Sequence, residues 1–568
     1  MAPSPRWLLP FTVLAASVLA LFPLHNDDTG FHIATGRWIL ANGHVPDRNP
    51  FSYAQDGATW VQHQWLPAVA MAWLTEHFGV VAVVFAKVAL VALAWTLAAW
   101  SLVRVRLPAG WASLVLAVGL TASAFRFVER PFLVSILMLG ITTGSLLRWS
   151  DDRLARAMAV LTPAFALQLH AGGLDAVLVW LAFAVATPRR DVWLGLTAMV
   201  ALAVGGLALL APAGLAVLTL PFGFSSNAYW HEHLAEFRSL GFDQEALAQW
   251  PLVLGALGLA GLAASRRRWF HALALAGFAA LALRHVRMMW PLATVAVPVG
   301  GALLAELLPE AWRTRRTQVG LAVAALGWLL VGVAQQHARF GLAVLAPARW
   351  GDGVARRRLP LELLDRAARL PERAFVSDGI AGTWLWRVFE APDKHRLLVH
   401  NCLECYKEST YRGVYQRLRY GEGDWQSEVA RLGIRTFVLK HTSAGERRFQ
   451  QGQPNLRQHL YADARYVLVD FDDVASLYAE RAGLPVGLAT LDGFPLDPDS
   501  GQPRPGATAQ SIERALLAHA EAHPGGTRAL ELLAWRLTRS GRTPEAARVL
   551  AKVAQRSAVA WVAGPSRP

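Results

Sequence analysis

Apolar runs of roughly 16–24 residues recur from residue 7 to residue 334, and short polar stretches separate them. A bilayer-spanning helix takes about 20 largely apolar residues. The runs therefore predict about eleven spans, at 7–24, 79–102, 108–125, 131–148, 155–170, 172–187, 191–210, 248–264, 269–284, 288–308 and 317–334. The intervening stretches alternate in character. Arg6 precedes the first run. Arg104 and Arg106, then Arg148, Arg153 and Arg156, then Arg189 and Arg190, follow successive even-numbered runs. Arg266, Arg267 and Arg268, and later Arg313, Arg315 and Arg316, continue the series. Basic residues collect in cytoplasmic loops, so these loops and the N-terminus are expected inside. An odd number of crossings then places the chain beyond residue 334 outside. The first run has the positive start of a signal peptide. Its apolar core is long and no small-x-small cleavage site precedes the next polar loop, so a retained helix is expected.

Past residue 334 the period changes. After a basic connector at 335–370, short runs rich in β-branched and aromatic residues appear: AFVS, RLLVH, RTFVLK, YVLVDF and ASLYAE. Separated by turns and helical stretches, they predict a small α/β domain over 371–482. Residues 483–507 are rich in Pro and Gly and predict a linker. Residues 508–568 carry amphipathic helices, and TRALELLAWRLTRSGRTPEAARVLAKV has a tetratricopeptide-like pattern. One such unit is too little for a solenoid, so it is expected to cap the fold or dock a protein partner. The expected fold class is an α-helical polytopic membrane domain (1–334), an exoplasmic α/β domain and a short helical tail.

Composition agrees: 54% of residues are hydrophobic and 17% charged, against about 25% charged in a soluble domain. Mean hydropathy is +0.30. The formal net charge of +14 would suit nucleic acid. Many of the basic residues, however, lie between apolar runs, and no zinc-finger or RRM signature is present. Membrane lipids, not nucleic acids, are the expected surroundings. The two cysteines, Cys402 and Cys405, form one CxxC. They cannot make a Cys₄ metal site within one chain, and a local disulfide or a pair of quiet thiols remains.

Polar chemistry collects on the expected outer side. The first outer loop, 25–78, opens with Asn26, Asp27 and Asp28, followed by His32 and Arg37, and later by His63. GFHIATGRWILANG has apolar residues at helical spacing and predicts an interfacial helix. A helix starting near Asp28 would put Asp28 and His32 on one face. Either aspartate could equally serve only as that helix's N-cap. Further outer groups are Arg126, Glu129 and Arg130; His170 and Asp175; His231, His233, Glu236 and Arg238; and Arg284, His285 and Arg287. Each alone reads as a solvated loop residue. Together they supply acids, histidines and arginines to one membrane face, and arginine suits phosphate through its paired charge-assisted bonds. His231 and His233 are two apart and lack the HExxH spacing of a metalloprotease. No Walker A loop or GxGxxG fingerprint is present.

The run DDTGFHIATGRWILANGHVPDRNPFSY, continued by Trp60, His63, Trp65 and Leu66, resembles the first outer loop of bacterial polytopic membrane glycosyltransferases of the GT-C class. These are distant relatives of protein O-mannosyltransferases and the oligosaccharyltransferase catalytic subunit. RHVRMMWP and the outer segment containing GTWLWR are similar to later elements of that group. The resemblance implies transfer of a sugar from a polyprenyl-phosphate-linked donor, with inversion, to a glycan, lipid or protein acceptor. The site implied is the outer face of a bacterial cytoplasmic membrane. It implies Asp28 as catalytic base, with Asp27 and His32 beside it. A departing lipid phosphate needs cations, for which Arg284, Arg287, His285 and Arg130 are the candidates; Glu236 is a candidate to hold the acceptor or a metal, and His63 to bind substrate. One position departs from the pattern: Asn26 stands where an acid is expected. That departure leaves open whether a divalent cation such as Mg or Mn takes part. Two other classes fit a polytopic chain. A transporter or flippase should show internal repeats and interrupted helices, and no clear repeat is visible. A non-catalytic scaffold would account for the helical tail.

Overall fold

The computed structural model describes residues 6–54, 59–226, 229, 234–371, 373–388, 396–442 and 455–558. Asp56, His231 and His233 lie outside the described residues. The chain divides into two compact units: Met1–Pro23, Val61–Ala70 and Leu74–Leu345 in the first, and Leu24–Trp60, Met71–Trp73 and Ala346–Pro568 in the second.

In the first unit a helix stands at each expected apolar run. Among the described residues, five helical stretches are long and apolar enough to cross a membrane: Val80–Arg104, Ala109–Arg126, Arg190–Leu209, Val286–Leu307 and Arg315–Phe340. Five more apolar helices are shorter: Leu8–Ala20, Phe132–Leu146, Ala171–Ala186, Trp250–Ser265 and Trp269–Arg284. The protein is therefore a multi-pass membrane protein, while the length criterion for spanning is met by fewer helices than the hydropathy pattern predicts. The helix Arg153–Leu169, at another expected run, carries arginines at its start and is less apolar. Close packing rests on small residues at crossings, as expected where lipid offers no hydrophobic driving force between helices. A Cβ on Gly119 would fall 2.7 Å from the Trp95 ring and 2.8 Å from Val297. Trp95, Trp180 and Trp290 are fully buried. So is one ion pair, Lys87 Nζ to Glu129 Oε1 at 2.6 Å. The same ammonium donates to the Phe22 carbonyl and lies 3.4 Å over the Phe22 ring. A buried charge is tolerated only with such company.

The second unit is built on a four-stranded mixed sheet in the order β1-β2-β4-β3. β1 (Ala374–Val376) runs parallel to β2 (Thr436–Lys440), and β4 (Ala475–Glu480) is antiparallel to both β2 and β3 (Tyr466–Phe471). The strands are buried almost throughout, so they read as continuous apolar runs rather than alternating ones. RLLVH, expected as a strand, makes only isolated bridges: Leu397 pairs with Ser52 and with Ala374. Its backbone bonds go to residues 51–53 instead, from Leu397 N to Phe51 O and from Tyr53 N to Leu397 O. Residues 494–503 of the Pro- and Gly-rich stretch fold back onto the domain. Leu496 and Asp497 are buried, and Asp499 pairs with buried Arg457. Helices Ala509–Ala522, Arg528–Arg539 and Thr543–Ala558 follow, each packed on the next.

Candidate functional site

Two polar centres stand out, one in each unit. The centre in the second unit begins at the helix Asp27–Asn42. Its N-cap is Asn26, whose side chain accepts from Asp28 N at 3.3 Å. Neither aspartate is consumed in capping its own helix. Asp27 instead caps another helix from outside. Its carboxylate accepts Gly382 N at 2.9 Å, Thr383 N at 2.7 Å and Thr383 Oγ1 at 2.6 Å. Gly382 and Thr383 open the short helix Ala381–Arg387, which has no side-chain cap of its own. Unpaired N–H groups at a helix start attract a carboxylate.

The two helices meet through glycines. A Cβ on Gly382 would lie 2.2 Å from Asp27 O, and one on Gly30 would lie 2.4 Å from Gly382 O. Asn401 completes the centre. Its Nδ2 donates to Asp27 Oδ2 at 2.9 Å and to Asp28 Oδ1 at 2.5 Å, so one amide spans both acids. Burial pushes the Asp27 carboxyl above the usual aspartate range, and bonds from Thr383, Asn401 and Gly382 pull it only partly back. His32 is buried one turn beyond Asp28. Arg37 donates to the Trp386 carbonyl at 3.0 Å, tying the same two helices together again.

Asn401 is held by what flanks it. Cys402 and Cys405 form a disulfide, which selects between the two states the sequence allows. On the other side, His400 Nδ1 accepts from Cys402 N at 3.2 Å, and its Nε2 lies 3.0 Å from Asn49 Oδ1. An accepting Nδ1 makes the ring the neutral Nε2–H tautomer. Burial pushes the His400 pKa down to about 3, in keeping with that state. Asn49 also reaches Tyr406. The NPFS turn and the disulfide loop thus brace one another, and Asn401 sits between.

The centre in the first unit is built on Glu236. Arg126 Nη1 lies 2.8 Å and Arg130 Nη1 3.3 Å from its Oε2, and Arg287 Nη1 lies 3.4 Å from its Oε1. Three guanidiniums thus converge on one carboxylate. Burial opposes ionisation of Glu236, but Arg287, Arg126 and Arg130 together overcome it and hold the carboxyl well below its usual range. Backbone pairing fixes the arrangement: Leu240 N donates to Leu283 O, and Val286 N to Arg238 O. His285 is buried and its Nδ1 lies 2.9 Å from the Phe237 carbonyl. Arg284 is exposed. Arg287 also covers the Phe237 ring at 4.7 Å. His63 is buried, 2.7 Å from Gln64 Nε2, with its ring 5.3 Å from His170. Burial pushes its pKa down to about 4, helped by the charge of Arg287.

Of the residues singled out in the sequence, Asp27 and Asp28 come together in the second unit, and Arg130, Glu236 and Arg287 in the first. Arg126, read in the sequence only as an outer-loop arginine, makes the shortest contact with Glu236. Asn401, Gly382 and Thr383 carried no recognised role in the sequence. GTWLWR hinted at the last two; nothing local marked Asn401.

Among the described residues, neither centre gathers three metal-ligating side chains. Both oxygens of Asp27 face N–H or O–H donors, Glu236 faces arginines, and Asn26 replaces the further acid.

No protein-family profile matches the chain, and no curated protein does. Solved structures do. ArnT from Cupriavidus metallidurans in the apo state matches with TM-score 0.51 and 13% identity, over 84% of this chain and 99% of that chain. The same protein bound to undecaprenyl phosphate matches with TM-score 0.49 and 14% identity, over 86% of this chain and 99% of that chain. The Archaeoglobus fulgidus oligosaccharyltransferase in the apo form matches with TM-score 0.45 and 13% identity, over 77% and 70% of the two chains. At this identity the likeness to apo ArnT establishes a shared fold, and at that level the resemblance read from the first outer loop is borne out.

Proposed function

We propose that this chain is a membrane glycosyltransferase that moves a sugar from a polyprenyl-phosphate-linked donor to an acceptor hydroxyl on the outer face of a bacterial cytoplasmic membrane. One observation carries the reading: two adjacent acids are given different tasks by one amide. Asp27 is committed to the helix Ala381–Arg387, whereas Asp28 presents a carboxylate that Asn401 holds in place. A positioned carboxylate is what deprotonation of an acceptor requires. In the proposed step the acceptor O–H gives its proton to Asp28, and the acceptor oxygen bonds to the anomeric carbon. The bond from that carbon to the phosphate oxygen breaks. A single displacement of this kind inverts the anomeric centre. The lipid phosphate departs as a stable anion, so it calls for cations rather than for a general acid.

Arg126, Arg130 and Arg287 are cations of the kind that leaving group calls for, and exposed Arg284 is a further one. Glu236 keeps the guanidiniums apart and oriented. The disulfide supports placing the second unit in an oxidising compartment. The shared fold with ArnT accords with a lipid-linked substrate, and ArnT itself has been solved with undecaprenyl phosphate.

The test is transfer in membranes supplied with defined polyprenyl-phosphate-linked sugars. Wild type should turn over and Asp28→Asn should not. Full activity in Asp28→Asn would sink the base assignment.

A further inference from the structure

A second cluster, apart from the two centres above, lies in the second unit under the helical tail. Asp470 is on β3, next to a register shift in its pairing with β4. His519 lies in the helix Ala509–Ala522 and His523 is that helix's C-cap. Four residues apart on a helix, the two imidazoles share a face, the geometry that metal-binding His-x₃-His pairs use. Their Nε2 atoms converge on one oxygen: Asp470 Oδ1 is 3.2 Å from His519 Nε2 and 3.3 Å from His523 Nε2. One ligand atom from each of the three residues lies within 4.8 Å of the others.

The surroundings fix all three. The His519 ring stacks on Phe471 at 3.8 Å and on His523 at 4.3 Å. Arg366 holds the other carboxylate oxygen at 2.8 Å, and Phe471 N donates to Oδ1. Asp470 and His519 are 2% and 6% exposed.

We propose that Asp470, His519 and His523 form a site for a borderline divalent cation of the zinc class. Two imidazole nitrogens and one carboxylate oxygen converging on one point suit zinc or cobalt better than magnesium or calcium. Arg366 occupies Oδ2, so the carboxylate binds through one oxygen. Three protein ligands leave a fourth position for water. The cation would tie the tail helix to the sheet across nearly 50 residues of chain. The site is independent of the transferase reading.

The test uses full-length protein in detergent, stripped with a chelator and titrated with Co²⁺ and then Zn²⁺. The expected result is one equivalent of cobalt with a visible absorption band, which zinc abolishes by competition. His523→Gln, at the helix end, should weaken binding at least about 100-fold. A measurement without a variant guards against misfolding: an anomalous diffraction map at the zinc edge should place the ion among Asp470, His519 and His523. Absence of zinc binding by wild type, binding by His523→Gln as tight as by wild type, or an anomalous peak located elsewhere would each overturn the proposal.

Discussion

Two carboxylates of this protein, one in each unit, meet opposite fates. Glu236, in the first unit, is surrounded by three full positive charges and is held ionised. Asp27, in the second unit, is surrounded by dipoles: two backbone N–H groups, a hydroxyl and an amide. Those dipoles do not offset its burial, so its pKa rises. The type of donor, not the number of contacts, sets the state of a buried acid. It also separates tasks. Glu236 orders cations and Asp27 orders a helix, while Asp28 is the group to which the proposed function gives the chemistry.

The largest expected effect tests that last separation. Asp28→Asn should lower transfer by about 100- to 10,000-fold, the usual contribution of a general base, while thermal unfolding stays within about 0.5 kcal/mol of wild type. Asp27→Asn should behave the other way. Its amide nitrogen would face Gly382 N or Thr383 N, costing about 1–3 kcal/mol of stability for an unpaired buried group. A melt of the purified variant reads this directly, and equal melts for the two variants would erase the distinction. Gly382→Ala should cost about 1–3 kcal/mol by overpacking, because its Cβ would overlap the Asp27 carbonyl. Lowered transfer is expected with it, since Asn401 touches the same crossing.

Glu236→Gln is a milder break. Three guanidiniums lose their shared counter-charge, and stability should fall by on the order of 1–2 kcal/mol. Added phosphate should restore part of it. The smallest effect is one of pH. The folded-state pKa of Glu236 lies below its ordinary value of 4.5. Its stabilising contribution is therefore present above pH 4.5 and is lost as pH falls from there toward the folded value. Wild type should show this acid limb in its melting temperature and Glu236→Gln should lack it. An identical limb in both would mean that Glu236 is not the group titrating.

The sequence was most legible where one physical demand dominates. A bilayer asks for long apolar runs, and each such run is a helix here. The strands β1 to β4 were legible for a similar reason, because burial on both faces writes continuous β-branched and aromatic stretches. RLLVH shares that composition yet pairs with Phe51 and Tyr53, a partner choice that no local pattern records. At the acid centre the aspartates were visible but their division was not. Asn and Asp are near-equal N-caps, so nothing local shows that Asn26 takes the cap and releases both acids. Asn401 and Thr383 act through contacts far along the chain, and periodicity carries no such information. The His519 and His523 spacing was present in the sequence. Its meaning depends on Asp470, whose place in YVLVDF reads only as strand.

The pairing of Asp27 with Gly382 spans 355 residues, and that of Asp28 with Asn401 spans 373. During synthesis the acids leave the ribosome long before anything that can hold them. The nascent chain must insert its membrane helices and extend through the disulfide loop before the centre can close. Until then it carries two adjacent negative charges without their folded partners. Under the proposed function, activity is thereby tied to completion: a chain cut short before residue 401 has the apolar helices and the acid pair, but not the amide that holds both acids.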